Sequence, residues 1–232
     1  MTYDWQAGLV LFVMVVALTK FAKFLAFKVP AFEQERLKNR VLDKPKLDMD
    51  KYRTIIKSGH RVGLISNIVF FACVAPFCVT LTPQPWWRTP VDIVVILMVY
   101  DFFYYLTHRF LFHGQGYFRR VHAVHHQARN PTYIDAHYVH PLETFIGLNL
   151  FLVLIPLLSL ALGTFNVVTV GLCFVIYTQL NVLNHCRVDL PYWPFKTINW
   201  ITDKHAVHHE NMHKGNYASI TLFFDKVFGT LD

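Results

Sequence analysis

Apolar residues in this chain gather in long unbroken runs and do not alternate with polar ones. Five runs stand out: Trp5–Phe27, Val62–Leu81, Val91–Leu106, Leu142–Leu162 and Phe165–Leu183. A helix needs about 20 apolar residues to cross the hydrocarbon core of a bilayer, so these predict membrane helices, the third of them short. The first run lacks a basic amino-terminal region and a small-residue cleavage site, and so reads as a retained anchor. Between the first two runs Asp48 looks like an N-cap, and Met49, Tyr52 and Ile56 recur at helical spacing, predicting a helix along the interface. Asn130-Pro131 and Pro191-Tyr192-Trp193-Pro194 mark loops. The pattern predicts an all-α integral membrane fold of four or five transmembrane helices in hairpins, with a His-rich helical cap. Residues 1–61 form the anchor and a basic segment; residues 62–232 form the hairpins and the cap.

Composition sharpens this reading. Hydrophobic residues make up 54% of the chain and charged residues 16%, with 21 Phe, which excludes an ordinary soluble domain. The net charge of +7 does not point to nucleic acid, because ten of the 22 Lys and Arg residues lie in Lys28–Arg61. A basic segment beside membrane runs is what the positive-inside rule produces, and it attracts anionic headgroups. It places Lys28–Arg61 in the cytoplasm as a solvated loop, at a bacterial inner membrane or the endoplasmic reticulum. Counting crossings from there puts Trp86 and Trp87 in an outer aromatic belt and brings every clustered histidine to the cytoplasmic face. Cys73, Cys78, Cys173 and Cys186 have no spacing of a disulfide framework or thiolate zinc site.

Twelve of the 13 histidines fall between His108 and His213. Eight form three groups: His108 with His113; His122, His125 and His126; His205, His208 and His209. Imidazole binds metal as the neutral base, one ring nitrogen on the ion and the other held by a partner. The i, i+3, i+4 spacing projects three rings from one helix face, so each triplet is expected to grip a metal. His108 and His113 lie about 140° apart on an ideal helix, so they serve different metals or straddle a helix end. Eight such rings are too many for one four-coordinate ion and predict a dimetal site. Asp101, two turns before His108, is expected to accept a ligating ring's free N–H, since a carboxylate within a membrane run is functional by default.

All-His metals at a membrane surface suit oxidation of an unactivated C–H bond in a lipid. Iron is expected, because zinc has no redox chemistry, although zinc can replace it on purification. The set differs from the Glu and Glu-x-x-His pattern of soluble di-iron bundles. Asp101, Asp135, Glu143, Asp189 and Glu210 are candidates to offset the metal charge through hydrogen bonds to ligand N–H groups. No haem, flavin or nucleotide fingerprint occurs, so electrons for dioxygen must come from a separate donor, a small cytochrome or a ferredoxin with its reductase.

The three His groups, with TYIDAHYVHPLE after the second and GNYASITLFFDKVFGT after the third, resemble the fatty acid hydroxylase/sterol desaturase superfamily from about Asp101 to the end. The pattern is most similar to the 4-methylsterol monooxygenase branch: Tyr138–Glu143, His185 with Asp189-Leu190-Pro191, and Asn216–Ser219. The resemblance implies a membrane di-iron monooxygenase with a cytosolic cap, hydroxylating or desaturating a sterol-like or fatty-acyl lipid. It implies the ligands His108, His113, His122, His125, His126, His185, His205, His208 and His209. Two departures stand out. Asn181 replaces a histidine that fatty-acyl hydroxylases carry, leaving a position to water or the amide. Asp232 closes the chain two residues after the Phe-Gly-Thr stretch, so a family extension is not expected.

His140, in the His-Pro-x-Glu motif, is expected to be a ligand or a ligand's partner, and His137 less so. His60 reads as an ordinary satisfied histidine, and no family motif supports His213. Asn216-Tyr217 is expected to shape a loop under the site, while Phe223, Phe224 and Phe228 are cap core or interfacial anchors. The alternative is a membrane metal-binding or electron-transfer protein without oxygenase activity. A haem carrier needs His pairs on facing membrane helices, and a transporter needs ligands across the bilayer. A metalloprotease is disfavoured: His209-Glu210-Asn211-Met212-His213 has the His-Glu-x-x-His spacing, but one zinc site leaves the other histidine groups without a role.

Overall fold

A computed structural model describes residues 2–186, 193 and 196–232. Helix α1 (Trp5–Ala26) starts at Asp4, whose carboxylate accepts the Ala7 N–H at 3.0 Å. Helix α2 (Pro30–Leu47) opens on a proline, which suits a first turn because that N–H has no helical partner. Helix α3 (Asp50–Cys78) is continuous for 29 residues, with a π turn at Phe70–Val74 ahead of Pro76. The expected interfacial helix and second membrane run are therefore one rod. Asp48 closes α2 and does not cap α3, whose first residue follows Met49.

Helix α4 (Arg88–Phe112) ends in a second π turn, Thr107–Phe112. The short α5 (Tyr117–His122) follows, then α6 (Pro141–Leu162) and α7 (Val167–Leu183). The last helices are α8 (Lys196–Glu210) and the single-turn α9 (Phe223–Val227). A two-residue parallel bridge joins β1 (Val79–Thr80) to β2 (Phe165–Asn166).

Helix α1 packs on α7, α3 on α6, and α4 on both α6 and α7. Their shared core is aromatic. Phe151 stacks on Tyr177 at 4.4 Å, and Tyr100 meets both edge-on. Gly163 has φ +83°, a left-handed conformation that favours glycine, and it turns the chain from α6 to α7. At the same end the Arg88 guanidinium donates to the Leu162 carbonyl at 2.7 Å.

Four helices, α1, α3, α4 and α6, are long and apolar enough to cross a membrane, with mean hydropathies from 1.5 to 2.5. Helix α7 has 17 residues, about 26 Å at roughly 1.5 Å per residue, a little short of the roughly 30 Å hydrocarbon layer. Ile68, Val94 and Leu160 leave apolar surface on the outside of the bundle, as lipid contact requires. The carboxyl ends of α4 and α7 meet the amino ends of α3 and α6 at the end opposite the β bridge. All the clustered histidines collect there.

Candidate metal centre

Two groups of imidazoles form, and they cut across the sequence clusters. His108, His113, His122, His126 and His208 make one; His125, His185, His205 and His209 make the other, with nitrogens within 4.8 Å of one another in each. In the first, the Nε2 atoms of His108, His122, His126 and His208 close a ring with successive separations of 3.0, 3.0, 3.1 and 3.2 Å. In the second, His185 Nε2 lies 3.1 Å from His125 Nε2 and 3.2 Å from His205 Nε2.

The tautomers follow from what lies behind each ring. Nδ1 of His108 donates to the Tyr217 carbonyl at 2.7 Å, that of His113 to Met212 at 2.9 Å, and that of His208 to Gly215 at 2.8 Å. His125 donates to Tyr138 at 3.1 Å, His185 to Asn181 at 2.9 Å and His209 to Ala128 at 3.1 Å. His122 donates to the Glu143 carboxylate at 2.7 Å. A carbonyl or carboxylate takes only an N–H, so these seven rings carry their proton on Nδ1 and turn a bare Nε2 lone pair inward.

Lone pairs about 3 Å apart repel, and His113 Nε2 and His209 Nε2 are buried with no hydrogen-bond partner at all. A cation resolves this. Two nitrogens each roughly 2.1 Å from one ion and at right angles to it lie about 3.0 Å apart. The donor sets therefore fit metal ions. Burial, foremost, holds His113, His122 and His185 at about 3 and pushes His126, His205, His208 and His209 well below the usual imidazole value. The rings are thus neutral at physiological pH, the form that binds metal.

Two clamps hold the carbonyls in place. The loop after α8 supplies Met212, Gly215 and Tyr217. Asp225, fully buried, accepts the Tyr217 and Ala218 N–H groups at 2.7 and 2.9 Å, and Asp101 accepts those of Ser219, Ile220 and Thr221 at 2.9, 2.8 and 3.0 Å. A Cβ on Gly215 would lie 1.8 Å from the Thr230 carbonyl, so only glycine fits where the His208 acceptor must sit. The stretch before α6 is held from α2. Asn39 and Asp43 accept the Tyr133 and Ile134 N–H groups, and Lys46 pairs with the buried Asp135. Lys28–Arg61 is therefore helical and docked on the site, not a solvated loop.

A cavity of about 550 Å³ runs from the two groups into the bundle, between α1, α3, α4, α6 and α7. Its lining passes from His108, His122 and His185 to Tyr104, Leu148 and Tyr177.

The family model described as fatty acid hydroxylase matches residues 93–230, more than half of the chain. The chain belongs to the fatty acid hydroxylase family. It is 33% identical over 148 residues to methylsterol monooxygenase 1 of Rattus norvegicus, covering 62% of this chain and 48% of that protein. It is 30% identical over 154 residues to methylsterol monooxygenase 2-2 of Arabidopsis thaliana, with 64% and 55% covered. It is 32% identical over 153 residues to a very-long-chain aldehyde decarbonylase of Oryza sativa subsp. indica, again with 64% and 55% covered. The chain spans about half the length of these curated relatives. No solved structure matches.

All nine histidines that the fatty acid hydroxylase pattern implies enter one group or the other, but not as their spacing suggested. Neither triplet stays together: His125 separates from His122 and His126, and His208 from His205 and His209. The chain leaves the α-helix after His122 and re-forms as a 3₁₀ turn at His125–Gln127, which aims neighbouring rings apart. His108 and His113 share a group because the π turn bonds the His113 N–H to the His108 carbonyl at 2.9 Å, bringing residues five apart onto one face. His113 also stands at the helix end.

Asp101 accepts no ligand N–H. Seven residues carry it about 10.5 Å along the axis from His108, and its oxygens take three backbone N–H groups and the Thr221 hydroxyl. His140 is not in either group; its Nδ1 accepts the Leu142 N–H at 3.1 Å and caps α6, the helix that presents Glu143. Of the other acids, Asp135 receives Lys46, Tyr52 and Thr132, and Glu210 is exposed at the end of α8. Asp189, Leu190 and Pro191 lie outside the described residues. His213 is exposed, and His60 and His137 face the cavity. Asn181 contributes its backbone carbonyl to His185 and is among the residues lining the cavity. Asp225 and the backbone acceptors were missed by the sequence reading. Asp225 lies within the quoted tail motif, but a carbonyl leaves no side-chain signature.

Proposed function

We propose that the chain is a membrane lipid oxygenase whose nine imidazoles hold two iron ions: His108, His113, His122, His126 and His208 one, and His125, His185, His205 and His209 the other. The observation that carries this is the set of seven rings locked by Nδ1 hydrogen bonds so that bare Nε2 atoms converge. Bound iron would supply the redox chemistry that couples dioxygen reduction to removal of hydrogen from an unactivated C–H bond. The remaining work belongs to the protein. Buried carbonyls and Glu143 keep the rings oriented and neutral, and the cavity holds an apolar chain beside them with water excluded.

The substrate is a lipid, sterol-like or fatty-acyl, hydroxylated or desaturated. Reducing equivalents come from a separate cytochrome or ferredoxin, and the His-bearing end faces the cytoplasm. The family match and the sterol- and aldehyde-metabolising relatives support this reading. The test is metal analysis joined to lipidomics of cells with and without the gene. Two metal equivalents per chain and a dioxygen-dependent, mass-shifted lipid are expected. His125→Ala should lose about one equivalent and the product. Full product formation by His125→Ala would refute the site.

A further inference from the structure

The cavity that ends at the imidazoles also has an outer wall, and that wall is charged. Helix α1 packs against α3 over Phe70–Cys78, the end remote from the histidines. Towards the histidine end the cavity occupies the wedge between them, lined by Thr19 and Lys23 on one side and His60, Leu64 and Asn67 on the other. His137 completes the rim, its ring edge-on to His60 at 5.3 Å. Burial, foremost, with His60 and Lys23 nearby, holds His137 at about 4, so it lines the rim as a neutral hydrogen-bonding ring.

The formal charges in the lining are Lys23 and Glu143. Glu143 is committed to His122, whereas Lys23 forms no ion pair with an acid among the described residues. A lysine facing a half-buried cavity without a counter-charge is a site for an anion, because a charge leaving water needs a partner. The position fits a lipid as well. Lys23 lies in the last turn of α1, where a membrane helix meets the headgroup region, and apolar lining follows inward.

We propose that Lys23, His60 and His137 form the head-group end of the lipid cavity, and that it takes a single-chain lipid with a carboxylate head in preference to a neutral ester or sterol. The proposal rests on the reading that the cavity holds a lipid, and it is independent of which metal the imidazoles bind. Lys23 and His60 lie outside residues 93–230, so the family match does not supply this preference.

The test uses the full chain as purified, in neutral detergent and without an electron donor, so that turnover plays no part. Palmitate, its methyl ester and a fluorescent sterol are compared by displacement of a fluorescent polyene fatty acid. Palmitate should bind about tenfold tighter than its ester, the scale of one charge-assisted hydrogen bond. Lys23→Gln should erase that difference and Lys23→Arg should keep most of it. Lys20→Gln, exposed on α1 and outside the cavity, should not change it. Equal binding of acid and ester by the unaltered protein would overturn the proposal, as would tightest binding of the sterol or a preference that survives Lys23→Gln. Binding without head preference would defeat this proposal alone. Binding of none of the three would defeat the lipid reading as well.

Discussion

Glu143 sets His122 apart from its neighbours. Six other rings lean on backbone carbonyls, which are neutral and fixed, while His122 leans on a carboxylate with 6% exposure. A charge-assisted bond makes the imidazole a stronger base and offsets some of the charge of an ion in its group. Glu143→Gln keeps an oxygen for the His122 N–H but removes the charge. It should weaken one metal equivalent by about tenfold or more, the usual scale for a ligand's hydrogen-bond partner, and leave the other unchanged. Titration against a chelator with a two-site fit reads both constants. Equal weakening of the two sites, or no change, would count against the assignment of His122 to one group. At this scale the sequence was legible in part. The ring identities could be read from histidine spacing and motif, because imidazole is a recognisable side chain. The acceptors Met212, Gly215, Tyr217, Ala128 and Tyr138 could not, because any residue can offer a carbonyl.

Elements decide which rings meet. Spacing read on an ideal α-helix assigns the triplets wrongly: the second leaves α geometry after His122, whereas α8 stays regular and presents His205 and His209 to one group and His208 to the other. The π turn at Thr107–Phe112 makes a five-residue spacing behave as a four-residue spacing does on an α-helix. This gives a test with opposite outcomes for two small changes. One alanine inserted between Phe110 and Leu111 makes the spacing six, which neither helix type tolerates. That variant should lose the metal of the first group and keep the second. Deleting Leu111 leaves a four-residue spacing that a plain α turn satisfies, so it should retain more of that metal than the insertion does. Metal content and helical circular dichroism of the two proteins settle it, and a deletion as damaging as the insertion would sink the π-turn account. The membrane runs were easier to read, since long apolar stretches have few alternatives. The docking of α2 on the Thr132–Asp135 stretch was not. It depends on Asn39, Asp43 and Lys46 meeting residues about 90 positions away, and a basic segment looks solvated until its partner is known.

At the scale of the molecule, one asymmetry governs the rest. The β1–β2 bridge and the Gly163 turn close one end of the bundle, while both imidazole groups, α2 and the cavity rim occupy the other. The charge pattern supports the proposed placement of that second end in the cytoplasm, because ten of the 22 basic residues lie in Lys28–Arg61 and the structure fastens this segment to the histidine end. On that proposal an electron donor reaches the site from the cytoplasm, and a lipid enters sideways from the same leaflet. Both consequences fail together if the chain is inverted. Trp86, 85% exposed in the link before α4, and the exposed Gln115 just after it bracket the bundle from opposite ends. In a background with the four native cysteines replaced, Trp86→Cys in intact cells or sealed vesicles should react with a membrane-impermeant maleimide from the non-cytoplasmic side. Gln115→Cys should react only once the cytoplasmic side is opened. The reverse pattern would move the catalytic end out of the cytoplasm and remove the proposed cytoplasmic donor. Labelling of both from one side would mean that α4 does not span the bilayer, and the helical arrangement that gathers the nine rings at one membrane surface would have to be redrawn.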